Sequence, residues 1–224
     1  LRMEVLRPYT EFSPGDLAIQ LYLQVLASEQ WLRARGMGDI LRSFGGNTTL
    51  DTIRTMVEKG QREHDARNPL RYAVMDKFGD VRGTASIYPG YKLPLHRLHV
   101  LLPPAVAPWP LRTRQREAAY NIAAWISGDP NNDAQVELLK RSYRELANYA
   151  GRLIAHPIDE QVWSIEPVRS PQGVHEAIAS SGLHRVAEGR FDDGSSRHAI
   201  PVRSILYEDE PFTRPVLRLL PATS

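Results

Sequence analysis

The sequence predicts an α/β fold, and three observations carry that expectation. Residues 120–208 read as strand, polar loop, long helix, strand, short helix, strand, tight turn and strand. Residues 70–90 read as an antiparallel hairpin. Two helical stretches precede that hairpin.

Residues 3–9 read as a short strand ended by Pro8. Residues 13–35 read as a helix, with Ser13 as its N-cap and Pro14 at its first position, where a missing N–H costs nothing. Leu17, Leu21 and Val25 recur every four residues and share one face. Gly36 and Gly38 stop the run. A second helix follows over residues 45–65, with Thr49 or Asp51 near its start and Gly60 near its end. In the hairpin Leu70, Tyr72 and Val74 alternate with Arg71, Ala73 and Met75, and Gly79-Asp80 makes the turn.

Residues 89–116 are punctuated by Pro89, Pro94, Pro103, Pro104, Pro108 and Pro110 around the apolar run 98–102, which reads as a strand or an insertion. Residues 116–125 fit a strand, although their Ala, Arg and Glu also favour helix. From Asp133 to Ile154, Leu139, Tyr143, Leu146, Ala150 and Leu153 keep the three-to-four spacing of one buried helical face. Asn132 with Gln135 three residues on has the form of a capping box.

The 224 residues suit one large domain, here read as 1–224 with a Pro-rich insertion at about 89–116. The net charge of +2 gives no strong global field toward nucleic acid or an acidic membrane. There is no cysteine, which excludes disulfides, thiolate nucleophiles and Cys-ligated metals. No apolar run reaches the roughly 18 residues of a membrane span. The N-terminus has no charged-then-apolar leader. A cytoplasmic protein is the expectation, and a homodimer is expected only because two-fold assemblies are common.

The order helix, helix, hairpin, strand, long helix, strand, short helix, two strands resembles the GNAT N-acyltransferase superfamily. Residues 180–191 resemble its Gly-Phe-x-x-Val passage, with Gly182, Leu183 in the Phe position, and Val186. The hairpin at 71–88 resembles the family's central hairpin, whose second strand often opens with a glycine, as Gly83 does here. The resemblance implies a mixed, mostly antiparallel sheet flanked by helices. It also implies transfer of an acyl group, acetyl above others, from acyl-CoA to a small-molecule or peptide amine.

In that family a loop reading Arg or Gln, two residues, Gly, one residue, Gly or Ala precedes the long helix. Its backbone N–H groups bind the pyrophosphate of coenzyme A. The matching stretch here runs from Ser127 to Gln135 and holds one glycine, Gly128. Pro130 has no N–H, and Asp129 and Asp133 are negative. The resemblance places cofactor binding on Ser127, Gly128, Asn131, Asn132 and Asp133, with Arg141 farther along the helix. The family's usual general-acid tyrosine falls at Ile178, which has no proton to give. Tyr143, Tyr149 and Tyr207 are chemically able to replace it, and Tyr207 is taken as the candidate acid.

Glu166, at the end of a predicted central strand, suits a general base acting through water, or simply a solvated strand-end carboxylate. His96 and His99 would share one strand face, as a metal pair or as structural residues; no acidic residue nearby supports a metal, and none is expected. His156 reads as a helix-end cap. Trp109, Trp125 and Trp163 line either a substrate pocket or the core. Two other classes stay open. One is a GNAT-fold binding or assembly module without CoA chemistry. The other is a nucleic-acid-modifying enzyme resting on Arg112, Arg114 and Arg116, which equally form a solvated basic loop.

Overall fold

The computed structural model describes residues 5–34, 49–67, 69–89, 99–100, 118–129, 132–154, 160–190 and 203–209. Its strands are β1 Leu6–Pro8, β2 Leu70–Met75, β3 Val81–Pro89, β4 His99–Val100, β5 Ala118–Ile126, β6 Glu160–Pro167, β7 Leu183–Arg190 and β8 Arg203–Asp209. Its helices are α1 Pro14–Ala34, α2 Leu50–Asp65, α3 Asp133–Leu153 and α4 Gln172–Ala179. The strands form one sheet in the order β1-β2-β3-β5-β6-β8-β7-β4. Every pairing is antiparallel except β5 with β6. The sheet is therefore mixed and mostly antiparallel, with helices on both faces.

Two cores result. On one face Tyr72, Val74, Ile87 and Ile122 pack with Leu139, Tyr143 and Leu146 of α3 and Ile178 of α4. On the other, Ala73, Met75 and Val81 pack with Leu17, Leu21 and Val25 of α1 and Ile53 and Val57 of α2. The β2 alternation thus divides two buried faces rather than core from solvent. Period-two alternation sends successive side chains to opposite sides, and helices cover both.

The helix starts follow from their caps. The Ser13 carbonyl accepts the Leu17 N–H at 3.0 Å. Of the two candidates for α2, Thr49 is the cap, its hydroxyl accepting the Thr52 N–H at 3.2 Å. Gly60 lies inside α2, where a Cβ would come within 2.9 Å of the Tyr9 ring. Asn132 caps α3 through the Ala134 N–H at 3.0 Å. The expected capping box does not close, because the Asn132 N–H goes to the Asp129 carbonyl at 2.9 Å. Leu153, expected on the buried face of α3, is 40% exposed.

Residues 118–126, ambiguous between helix and strand, are strand because β3 and β6 flank them and bury Ile122. Such pairing overrides local propensity. His99 and Val100, from the apolar run 98–102, pair with Arg190 and Gly189 at the sheet edge. The rest of the segment from 90 to 116 lies outside the described residues, as do Gly36, Gly38, His96, Trp109, His156 and the three arginines Arg112, Arg114 and Arg116.

Gly83 is fixed by close backbone approach. A Cβ on it would stand 1.9 Å from the Trp125 carbonyl oxygen, on the paired strand β5. Gly83→Ala is expected to lower unfolding free energy by about 1–3 kcal/mol through forced overpacking. Urea unfolding of the variant checks this; an unchanged midpoint would contradict it.

Candidate active site

The parallel ladder between β5 and β6 covers only Ala118–Asn121 against Glu160–Trp163. Beyond it, β5 runs on to Ile126 and β6 to Pro167 without pairing to each other. The Tyr143 hydroxyl, from α3, occupies this interval. It accepts the Ala124 N–H of β5 at 3.4 Å and is hydrogen-bonded by Ser164 of β6. Burial pushes its phenol well above the usual range, and the Glu166 charge adds to that shift. Tyr143 therefore holds its proton firmly.

Glu166 shares the α3–α4 face of β6 with Ser164, two residues before it. Burial pushes its carboxyl up to about 7, against the lowering effect of a 2.5 Å hydrogen bond donated by Ser170. A carboxylate balanced near neutrality can exchange a proton at physiological pH. Tyr207 of β8 sits opposite Ser164. Burial raises its phenol, Arg185 opposes that shift and Glu166 adds to it. Its hydroxyl is hydrogen-bonded to His175 Nδ1 of α4 at 2.8 Å. The structure therefore brings Glu166 and Tyr207 together and adds Tyr143 and His175. Ile178 is buried in the same core as the two tyrosines. Tyr149 is turned elsewhere, stacked on Tyr72 at 5.8 Å between ring centroids.

The loop before α3 departs from a phosphate cradle in a specific way. The Ser127 N–H donates to the Arg82 carbonyl at 2.7 Å, and its hydroxyl donates to Gln24 Oε1 of α1 at 2.5 Å. The Gly128 N–H donates to Ser28 Oγ of α1 at 3.1 Å. The Ser127 hydroxyl and the Gly128 N–H tie the loop to α1, and the Ser127 N–H ties it to β3. Asn131 lies outside the described residues. Of the first N–H groups of α3, Asn132 takes that of Ala134 through its side chain and that of Val136 through its carbonyl. Those of Asp133 and Gln135 have no partner among the described residues. Gln135 Oε1 is buried there without a partner among the described residues. Arg141 lies a little over two turns on, partly buried. The Ser127 and Gly128 N–H groups are therefore already used within the protein.

The opposite sheet face carries a cavity of about 410 Å³. Arg71 of β2, Thr84, Ser86 and Tyr88 of β3, and Trp125 of β5 line it, and it reaches Ala124 beside the β5–β6 interval. Sequence reasoning singled out Trp125 as a pocket candidate but not the others. Trp163 is core, 2% exposed. Among the described residues no group of three or more His, Cys, Asp or Glu could hold a metal, and no helix is long and apolar enough to cross a membrane.

The Glu166 shift fixes a sign. Its carboxyl titrates near 7 when folded and near 4.5 when free. Between those values the folded state binds more protons, so this group's contribution to stability is full below pH 4.5 and is lost as pH rises through about 7. Glu166→Gln is expected to flatten that part of the stability–pH curve, measured by urea unfolding from pH 4 to 8. An unchanged curve would contradict the assigned shift.

No protein-family model and no curated protein sequence matches the chain. Solved structures do match. A ribosomal-protein-S5-alanine acetyltransferase from Vibrio fischeri is similar with TM-score 0.58 and 11% identity, covering 96% of this chain and 98% of that one. RimL, a ribosomal L7/L12 alpha-N-protein acetyltransferase, is similar with TM-score 0.54 and 14% identity, covering 91% and 87%. The microcin C7 self-immunity acetyltransferase MccE, in complex with acetyl-CoA and AMP, is similar with TM-score 0.51 and 10% identity, covering 87% of each chain. With an eight-stranded mixed sheet whose ladder opens between β5 and β6, this chain has the GNAT acetyltransferase fold.

Proposed function

We propose that the chain is a divergent GNAT N-acyltransferase that moves an acetyl group from acetyl-CoA to an amine. The observation that carries this reading is the open interval between β5 and β6, flanked by the start of α3 and by Glu166. The similar structures are those of acetyltransferases, and that of MccE is a complex with acetyl-CoA and AMP.

The thioester supplies an activated acyl group. The chain's residues would do the rest. Glu166, balanced near neutrality, takes the amine proton through a water. The amine nitrogen then bonds to the acyl carbon, and the Ala124 N–H stabilises the oxyanion by exchanging its long 3.4 Å contact with the Tyr143 hydroxyl for it. As the C–S bond breaks, Tyr207 returns a proton to the thiolate, with His175 holding its hydroxyl in place. Asp133 and Gln135 N–H groups, with Arg141 behind, bind the pyrophosphate in place of the family's glycine loop.

The internal use of Ser127 and Gly128 donors favours one second reading, a GNAT-fold binding module without CoA chemistry. Calorimetric titration with acetyl-CoA and coenzyme A separates the two. The transferase reading predicts binding that Asn132→Asp weakens about tenfold, because the new charge sits at the helix start while the cap is kept. No heat from either ligand would leave the binding module.

A further inference from the structure

The Tyr143 hydroxyl stands in the β5–β6 interval between one group that only donates and one that both donates and accepts. The Ala124 N–H donates to its oxygen at 3.4 Å, so the phenol proton points away from Ala124. That contact is longer than the usual ~2.9 Å of an N–H···O bond and is given up at small cost. The other partner is the Ser164 hydroxyl, which rotates to give or to take. The phenol can therefore turn its proton from Ser164 to a new oxygen while Ser164 donates to it in return. Neither hydroxyl is then left unpaired. The ring itself is held: Tyr143 is 1% exposed and packs with Leu139, Leu146 and Ala150 of the same helix stripe. Burial and the Glu166 charge keep its proton on, so it stays a hydrogen-bond donor and does not ionise.

We infer that the Tyr143 hydroxyl is a second oxyanion donor, which with the Ala124 N–H holds the thioester oxygen while the tetrahedral carbon forms. The inference rests on the acyl-transfer reading and adds a catalytic residue to the same site. As the amine nitrogen bonds to the acyl carbon, the carbonyl pair moves onto oxygen and the amine proton goes to Glu166. Glu166 is thus neutral while the oxyanion is present. The pair returns as the C–S bond breaks, and Tyr143 keeps its proton throughout. Tyr207, hydrogen-bonded to His175, has the separate task of giving a proton to the thiolate. Two donors on one oxygen, each at ~2.9 Å in a tetrahedral spread, stand about 4–5 Å apart, so the Ala124 nitrogen and the phenol oxygen part by about 1 Å when the oxygen enters. In a water-excluded site such fixed donors act far more strongly than in water.

The test is infrared difference spectroscopy of the full chain saturated with acetyl-CoA, against the same ligand carrying carbon-13 at the carbonyl, with saturation checked by calorimetry. The carbonyl band of the bound ester is expected at lower frequency than that of free acetyl-CoA. Tyr143→Phe keeps the ring and is expected to lose about half of that shift, one of two hydrogen bonds. Tyr149→Phe, whose phenol is stacked on Tyr72, is expected to keep all of it. A purely packing role for Tyr143 would weaken binding without moving the band of the bound ester. Ser164→Ala is expected to move the band part of the way back, and it decides the outcome if the unfolding transition shows Tyr143→Phe misfolded; an unmoved band in it then overturns the inference. A saturated wild-type chain with the band of the free ester overturns the inference and leaves the transferase standing. So does one band position shared by wild type and Tyr143→Phe, or an equal loss in Tyr149→Phe. A wild-type chain that binds no acetyl-CoA overturns the transferase reading and the inference with it.

Discussion

The early end of the parallel β5–β6 ladder is the constraint on which the rest of the site depends. Buried backbone N–H and C=O groups must find partners, and two strands that stop pairing inside a sheet leave such groups exposed to each other. Here one phenol answers part of that need. The Tyr143 hydroxyl meets the Ala124 N–H on one strand and Ser164 on the other. This fixes α3 over the interval, because Tyr143 is anchored by Leu139, Leu146 and Ala150 on the same buried stripe. The start of α3 is thereby carried toward the interval.

The two sheet faces then take different chemistry. On the α3–α4 face, burial raises Glu166, Tyr207 and Tyr143, the Glu166 charge adds to the shift of both tyrosines, and His175 is hydrogen-bonded to Tyr207. On the α1–α2 face, Arg71 donates to the Ser86 and Tyr88 hydroxyls. Strand β5 is the common boundary: Ala123 and Trp125 line the cavity, and Ala124 turns its N–H to Tyr143.

Much of this architecture was legible in local sequence. Leu17, Leu21 and Val25 mark the buried side of α1 because helical spacing needs only neighbours along the chain. Gly83 and Gly182 mark, respectively, a close strand contact and a left-handed backbone with φ of +91°, where glycine is favoured. Glu166 was recognisable as a carboxylate at the end of a central strand. Its shift to about 7 was not, since that depends on burial by elements far along the chain. The engagement of Ser127 with Gln24 and of Gly128 with Ser28 spans about a hundred residues and has no local signature. The cavity was hidden for the same reason: Arg71 reads as one polar position of an alternating strand until Glu63, Ser86 and Tyr88 are folded around it.

Hydrogen–deuterium exchange of the full chain with and without acetyl-CoA tests most directly whether the open ladder is the working part of the molecule. The account predicts that acetyl-CoA slows exchange at residues 122–126 of β5, 164–167 of β6 and the first turn of α3. Unchanged exchange at all three segments under saturating acetyl-CoA would contradict it.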